Sequence, residues 1–300
     1  MNKAVIWLVV LWPVASSLCV EGADSTETVP DYFSRKNILR FADHLYTDGD
    51  YLRAAGEYQR YLFSQPTAAG SDSIFYRMIN AVFHGEDYER SDRLLGELSR
   101  RYPESPLTAR VPLARSVVTF RQGDYAGSIA LAQAPDVKDS DLARTIIALG
   151  YLHLGEFEKA QEWSCVPAGS ASSTTAHGPP ADGIDLAYLC QEARSASSLP
   201  WKSRLRAGMY STLIPGAGKI YTGRTADGIY SLVIIGLLAW QAYDGFEEDG
   251  VESVKGWVFG ISGAMLYLSN IYGSVKAAEV HNRRVHHDFL EQIQVDVTLP

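Results

Sequence analysis

The histidine-rich segment near residue 285 holds the side chains best suited to metal chemistry. Glu279, His281, His286, His287 and Asp288 lie within ten positions, and imidazole with carboxylate is a common ligand set for divalent ions. Two arginines interrupt the cluster, which favours a polar segment at a membrane surface over a metal site. The sequence contains no His-Glu-x-x-His, Gly-x-Ser-x-Gly or Cys-x-x-Cys motif. We therefore expect a non-enzymatic protein with no metal and no cofactor.

A glycine-rich stretch at 215–228 invites comparison with phosphate-binding loops. Lys219 is followed by Ile220 instead of Ser or Thr, and Leu213 stands five residues before Gly218, where such a loop has glycine. A dinucleotide-binding loop would also need a preceding strand, which the pattern does not predict. Closely spaced glycines and a proline instead indicate a broken helix at a bilayer surface, where backbones approach closely. The motif residues are Pro215, Gly216, Gly218, Tyr221, Gly223, Arg224 and Gly228.

The first 23 residues predict a signal peptide. Lys3 gives a short basic start, an apolar run extends from Ala4 to Ala15, and small residues follow it. A run of about a dozen apolar residues is too short to span a bilayer comfortably. We therefore expect the rest of the chain to be exported.

Export determines what we expect of the cysteines. Beyond the leader the chain holds Cys165 and Cys190, and an oxidising compartment favours their pairing. A bridge would close a loop of about 25 residues and contribute about 3 kcal/mol in the chain-entropy model. Two separately buried cysteines are the alternative. We predict the disulfide.

Four segments share one turn pattern, in which glycine and an acidic residue precede an aromatic residue. The aromatics lie 37, 37 and 32 residues apart, at Tyr51, Tyr88, Tyr125 and Phe157. Three positions after each comes a small side chain: Ala54, Ser91, Ser128 and Ala160. A proline closes each unit: Pro66, Pro103, Pro135 and Pro167. These coincident features predict stacked helix pairs over residues 34–167.

Each part of the pattern has a physical reason. Glycine supplies the backbone freedom that ends the first helix, and an acidic residue favours the positive N-terminus of the second. A small residue lets the two helices approach closely, and proline stops the second helix. One pair cannot bury both of its apolar faces, so the pairs must stack.

The pattern resembles the tetratricopeptide repeat family. In the first unit Ala42, Tyr51, Ala54 and Pro66 match that family's small, aromatic, small and proline positions. The run 101–106 also resembles repeats of periplasmic assembly proteins, such as the helical lipoprotein of the outer-membrane barrel-assembly machine. The resemblance implies an all-α, tetratricopeptide-like solenoid with a concave groove lined by the first helices.

We expect a protein or peptide partner in that groove. The predicted contact residues project from the first helices away from the small-residue seam, and aromatic side chains with arginine are common binding anchors. They are Tyr46, Tyr76, Asn80, Phe83, His84, Phe120, Arg121 and His153.

The segments after the repeats are a flexible linker at 168–181, a capping helix at 182–197, a membrane domain at 205–280 and a polar tail at 281–300. Two apolar runs, about 226–244 and 255–275, predict a transmembrane hairpin, and a buried hairpin of a soluble domain is the alternative. The glycine-rich motif resembles small bacterial membrane domains in which Pro-Gly-x-Gly-x-x-Tyr-x-Gly precedes two transmembrane helices.

The charge distribution narrows the class of function. A net charge of −8 argues against nucleic-acid binding. We expect an inner-membrane-anchored scaffold with its repeats in the periplasm, contacting the bilayer and a protein or peptide partner. The alternative is a membrane-active component, for insertion, conduction or lipid handling, in which residues 207–275 carry the activity. The side of the membrane on which 207–222 lie stays open.

Overall fold

The structure is a computed structural model that describes residues 34–64, 68–138, 140–165, 186–293 and 295–300. All regular secondary structure within these ranges is helical, as the sequence predicts. The predicted signal peptide and linker, with Pro66 and Pro167, lie outside the described residues.

The first eight helices form four consecutive pairs. They are α1 (Arg35–Thr47), α2 (Tyr51–Ser64), α3 (Ser71–His84), α4 (Tyr88–Arg101), α5 (Val111–Arg121), α6 (Tyr125–Ala132), α7 (Asp141–Leu154) and α8 (Phe157–Ser164). Each helix packs against the next one along the chain. The small residues of the repeated pattern are fully buried, each at 0% exposure: Ala54, Ser91, Ser128 and Ala160. Their small size therefore matches the close helix–helix contact that each of them occupies.

The turns between paired helices place a left-handed residue two positions before the aromatic. In three units this residue is a glycine of positive φ: Gly49, Gly123 and Gly155. In the second unit the glycine comes one residue early, and Glu86 adopts φ 61° instead. A Cβ at position 85 would lie 2.5 Å from Cδ2 of Leu52, a side chain that is 51% exposed. The left-handed conformation therefore falls on a non-glycine residue in this unit.

A ninth helix, α9 (Leu186–Ser195), packs against α7 and α8. Leu189 and Ala193 are fully buried, and Nε2 of Gln161 donates to the Ala193 carbonyl at 3.0 Å. Cys165 and Cys190 form the predicted disulfide, with their Cα atoms 4.9 Å apart. The bridge joins the end of α8 to α9 across the undescribed linker.

The last four helices are α10 (Arg204–Leu213), α11 (Ala217–Tyr221), α12 (Thr225–Asp249) and α13 (Val254–Gln292). Both α12 and α13 are long and apolar enough to cross a membrane, and they contain the two predicted spans. Much of the predicted polar tail is helical, because α13 runs unbroken for 39 residues, about 58 Å. Its C-terminal half contains no glycine or proline to end it, and Phe289 is buried against the helix pairs at 3% exposure.

Candidate interaction groove and membrane motif

A ladder of aromatic rings crosses the C-terminal ends of the first helices. Within three units the turn aromatic meets, edge to face, the aromatic residue five positions earlier. The ring centroids are 5.3 Å apart for Tyr46–Tyr51, 5.6 Å for Phe83–Tyr88 and 5.3 Å for Phe120–Tyr125. The turn aromatic therefore fixes the angle between the two helices of its own unit.

Histidines contact the aromatic pair of the preceding unit and so connect one unit to the next. His84 of α3 lies 5.2 Å from the Tyr51 ring, and His153 of α7 stacks on Tyr125 at 4.2 Å. At the end of the stack, His286 of α13 lies 5.8 Å from the Phe157 ring. The C-terminal part of α13 therefore contacts the fourth pair through its side chains.

The structure brings several predicted groove residues together on the first helices, with unequal exposure. Phe83 and Tyr76 are buried, at 2% and 8% exposure, and both belong to the hydrophobic core of the helix pairs. The Arg121 guanidinium lies 5.8 Å from the Phe83 ring centroid. Asn80 donates from Nδ2 to the Tyr76 carbonyl of its own helix at 3.1 Å, and His84 is half-buried beside Phe83.

The same surface holds the segment that follows α13. Arg121 pairs with the Asp296 carboxylate, and its Nη2 and Nε donate to the Val297 carbonyl at 3.1 and 3.3 Å. The Tyr76 hydroxyl donates to the Pro300 carbonyl. Val297 and Leu299 are buried at 2% and 9% exposure. We refer to residues 295–300 as the groove segment.

Burial sets the protonation of the groove side chains. It raises the pKa of Tyr76 to about 12, against a smaller lowering by Arg110, so the hydroxyl remains a donor at neutral pH. The pKa of His84 is lowered by burial and by Arg121, although Asp296 acts in the opposite direction. Burial lowers the pKa of His153, and His286 repels its charged form. Both histidines are therefore held towards the neutral form.

Sequence reasoning did not foresee that the groove segment docks. A signal was present, since aliphatic residues occur at every second position: Ile293, Val295, Val297 and Leu299. Such alternation is typical of an extended chain with one buried side, and the general polarity of the region concealed it.

The glycine-rich motif brings α10–α13 into backbone contact. Gly216 has φ +87°, and a Cβ there would lie 2.0 Å from the Gly228 carbonyl oxygen. A Cβ on Gly218 would lie 2.0 Å from the Ala207 oxygen and 2.8 Å from Cβ of Ser274. The motif therefore acts as a packing junction of four helices, α10 to α13.

The other motif residues fasten this junction. The Tyr221 hydroxyl accepts from the Ser203 amide at 3.2 Å. Gly223 turns the chain with φ +85°, and Arg224 pairs with Asp227 at 2.5 Å at the start of α12. Pro215 lies between α10 and α11, where its missing N–H separates the two helices.

Polar side chains lie inside this half of the molecule. The Ser211 and Ser274 hydroxyls are 2.6 Å apart, and Nζ of Lys219 donates to the Ser231 hydroxyl at 2.8 Å. Asn270 is buried at 4% exposure, and neither polar atom of its side chain has a hydrogen-bond partner among the described residues.

The metal-like cluster assembles only in part. His281 and His286 each direct Nε2 at a backbone carbonyl, 3.0 and 2.8 Å away. His287 and Asp288 come together with Glu291, with ligand atoms within 4.8 Å, on an exposed face of α13. The two inward histidines thus act in packing α13 on the rest of the chain.

Comparison with known proteins yields no match to any protein-family model and no significantly similar curated protein.

Proposed function

We propose that this chain is a non-enzymatic, membrane-tethered interaction scaffold of the bacterial cell envelope. In this proposal α1–α8 form a tetratricopeptide-like solenoid exported to the periplasm, and α12 and α13 anchor it in the inner membrane. The concave surface of the first helices binds a protein or peptide partner.

One observation carries the proposal: the surface that bears Tyr76 and Arg121 already holds an extended segment of polypeptide. A surface that pairs buried aliphatic side chains with donors to backbone carbonyls has the features of a peptide-binding groove. Arginine and aromatic side chains are the residue types most often found as binding anchors.

The membrane tether rests on the side chains that the C-terminal helices turn outwards. Exposed large apolar residues include Ile229, Val233, Leu237, Val258, Ile261, Met265 and Leu268. A core helix of a water-soluble domain would bury such residues, whereas lipid is an apolar solvent for them. The continuous α13 then links the bilayer to the helix pairs without a flexible joint.

Site-specific photocrosslinking in intact envelopes tests the proposal. A photoreactive phenylalanine analogue replaces Asn80 in the groove or, as the control, the exposed Arg93 on α4. We expect a discrete protein adduct from position 80 alone, and its loss when Arg121→Glu is added. Equal adducts from both positions, or none from position 80 except to the chain itself, would contradict the scaffold.

The polar interior of the membrane half favours a second candidate, a membrane-active component. Lys219 and the unsatisfied Asn270 lie between helices, and polar side chains at membrane depth commonly mark functional sites. Lys219→Ala with Asn270→Ala separates the candidates. A scaffold keeps its position-80 adduct in this variant, whereas a membrane-active component loses its cellular phenotype.

A further inference from the structure

The groove segment is buried in the manner of a bound ligand. Along 295–300 exposure alternates, with Val297 and Leu299 buried and Asp296 and Thr298 exposed. This period of two is that of an extended strand, whereas α13 is helical as far as Gln292. The chain therefore changes conformation where it enters the groove.

The groove side chains contact this segment largely through the segment's backbone carbonyl groups. Arg121 donates twice to the Val297 carbonyl, and Tyr76 donates to the Pro300 carbonyl. Main-chain carbonyls are common to every sequence, so these contacts do not depend on the identity of the bound side chains. Selectivity is left to the aliphatic side chains at alternate positions and to one acidic group beside Arg121.

The segment can leave without moving the helix before it. His286 and Phe289 hold α13 on the stack through Leu152 and Phe157. The Gln292 carbonyl at the end of α13 accepts from the Tyr188 hydroxyl at 3.2 Å. The Ile293 amide donates to the Leu290 carbonyl at 3.1 Å, so the contacts that hold the end of α13 do not involve the groove segment.

We propose that residues 295–300 are a built-in competitor for the groove. The external partner that displaces them is an extended peptide of the same chemistry, with aliphatic residues at alternate positions around one acidic residue. This inference rests on the proposed groove function and names both its ligand class and its regulation. A tethered competitor acts at an effective concentration of about millimolar. A free peptide of equal intrinsic affinity therefore binds the closed protein poorly, and only a tighter or multivalent partner opens the groove.

The test uses the full chain in lipid nanodiscs and a fluorescent peptide with the sequence of residues 293–300. Val297→Asp with Leu299→Asp gives an opened chain, whose own segment no longer fits the apolar floor. We expect the peptide to bind the opened chain at least about tenfold more tightly than the unaltered chain. Arg121→Glu in the opened chain should remove that gain. A peptide with aspartate at the Val297 and Leu299 positions should not bind either chain.

A second measurement covers the case in which the opened chain loses its fold. In the unaltered chain, we expect a spin label at Thr298→Cys, an exposed position of the segment, to move more slowly than the same label on the free peptide. Adding Arg121→Glu, at a partly exposed side chain, should restore the mobility seen on the free peptide and leave the helix content unchanged. Free-peptide mobility of the label in the unaltered chain would overturn the proposal. So would an opened, folded chain that binds the peptide no better than the unaltered one.

The outcomes separate this inference from the proposed function. A position-80 adduct that forms equally in the unaltered and opened chains would leave the scaffold standing and refute the competitor. Tight peptide binding to the opened chain, without any envelope adduct, would support the competitor and contradict the scaffold.

Discussion

The two halves of the molecule bury opposite kinds of side chain. In the helix pairs, large apolar residues such as Phe75, Leu95 and Ile146 are at or below 2% exposure. In α10–α13 the buried positions are mostly glycine, alanine, serine and asparagine, including Gly218, Gly228, Asn270 and Ser274. The large apolar residues of that half face outwards.

This inversion is the pattern that the proposed membrane tether requires. In water, association is driven by removing large apolar side chains from contact with solvent. In lipid that force is absent between helices, so close backbone contact and interhelical hydrogen bonds hold helices together. Under the proposal, the boundary between lipid and water lies within α13, after its apolar first half.

The largest expected loss of unfolding free energy comes from substitutions at the close contact between paired helices. Ala54→Arg forces an unpaired charge into a fully buried position and should cost about 5 kcal/mol of unfolding free energy. Ala160→Arg should do the same to the fourth pair. Ala126→Arg, at an exposed position of α6, is the control and should leave thermal unfolding nearly unchanged. Native melting of the Ala54 variant would mean that the repeat register is wrong.

A single added methyl group should be enough to disrupt the packing of α10–α13. Gly218→Ala adds one methyl group that would lie 2.0 Å from a backbone oxygen of α10, and we expect a loss of about 3 kcal/mol in detergent unfolding. Gly236→Ala is the matched control, because a Cβ there meets nothing within 4 Å in the described part of the chain. If both variants unfold alike, the motif is not a packing junction.

One substitution should stabilise the helix pairs. Glu86→Gly relieves a left-handed residue at φ 61° and should add about 1 kcal/mol to the unfolding free energy. Gly123→Ala, at φ +84° in the equivalent turn, should subtract a similar amount. Chemical denaturation measures both changes. A Glu86→Gly variant that is less stable than the unaltered chain would show that Glu86 is not under backbone strain.

The smallest expected effect is a pH dependence confined to the helix pairs. Because burial and His286 lower the folded pKa of His153 below 6.5, the unfolded chain binds more protons as pH falls. Stability is therefore complete above about pH 6.5 and declines below it. The rings of Phe120 and Tyr125 also face this histidine. We expect melting to fall by about 1–2 °C from pH 7.5 to 5.5, and His153→Gln to reduce that fall.

The turn pattern made the helix pairs predictable from sequence. Each feature used there, such as the fully buried Ala54 or the left-handed Gly49, reflects a local requirement that a short stretch of chain expresses. The cysteine pairing was predictable for a different reason, because Cys165 and Cys190 are the two cysteines beyond the predicted leader. Arg121 and Tyr76 were predicted as groove residues from side-chain type and helix face, and their binding role stays a prediction.

Contacts between distant segments were not predictable in this way. Arg121 meets Val297 across 176 positions, and nothing local to either residue indicates the other. The buried state of Phe83 depends equally on neighbours outside its own helix. The continuation of α13 to Gln292 is set by packing on the fourth pair, whereas its polar composition favoured a tail.

Two positions on α13 test the proposed membrane tether most directly. Met265 is 69% exposed and the Arg283 side chain is 71% exposed, but the proposed tether places the first in lipid and the second in water. Met265→Cys and Arg283→Cys, each in the full chain in nanodiscs, are treated with a water-soluble maleimide. We expect rapid labelling at position 283, and labelling at position 265 only after the bilayer is dissolved. Equal labelling of both positions in the intact bilayer would contradict it.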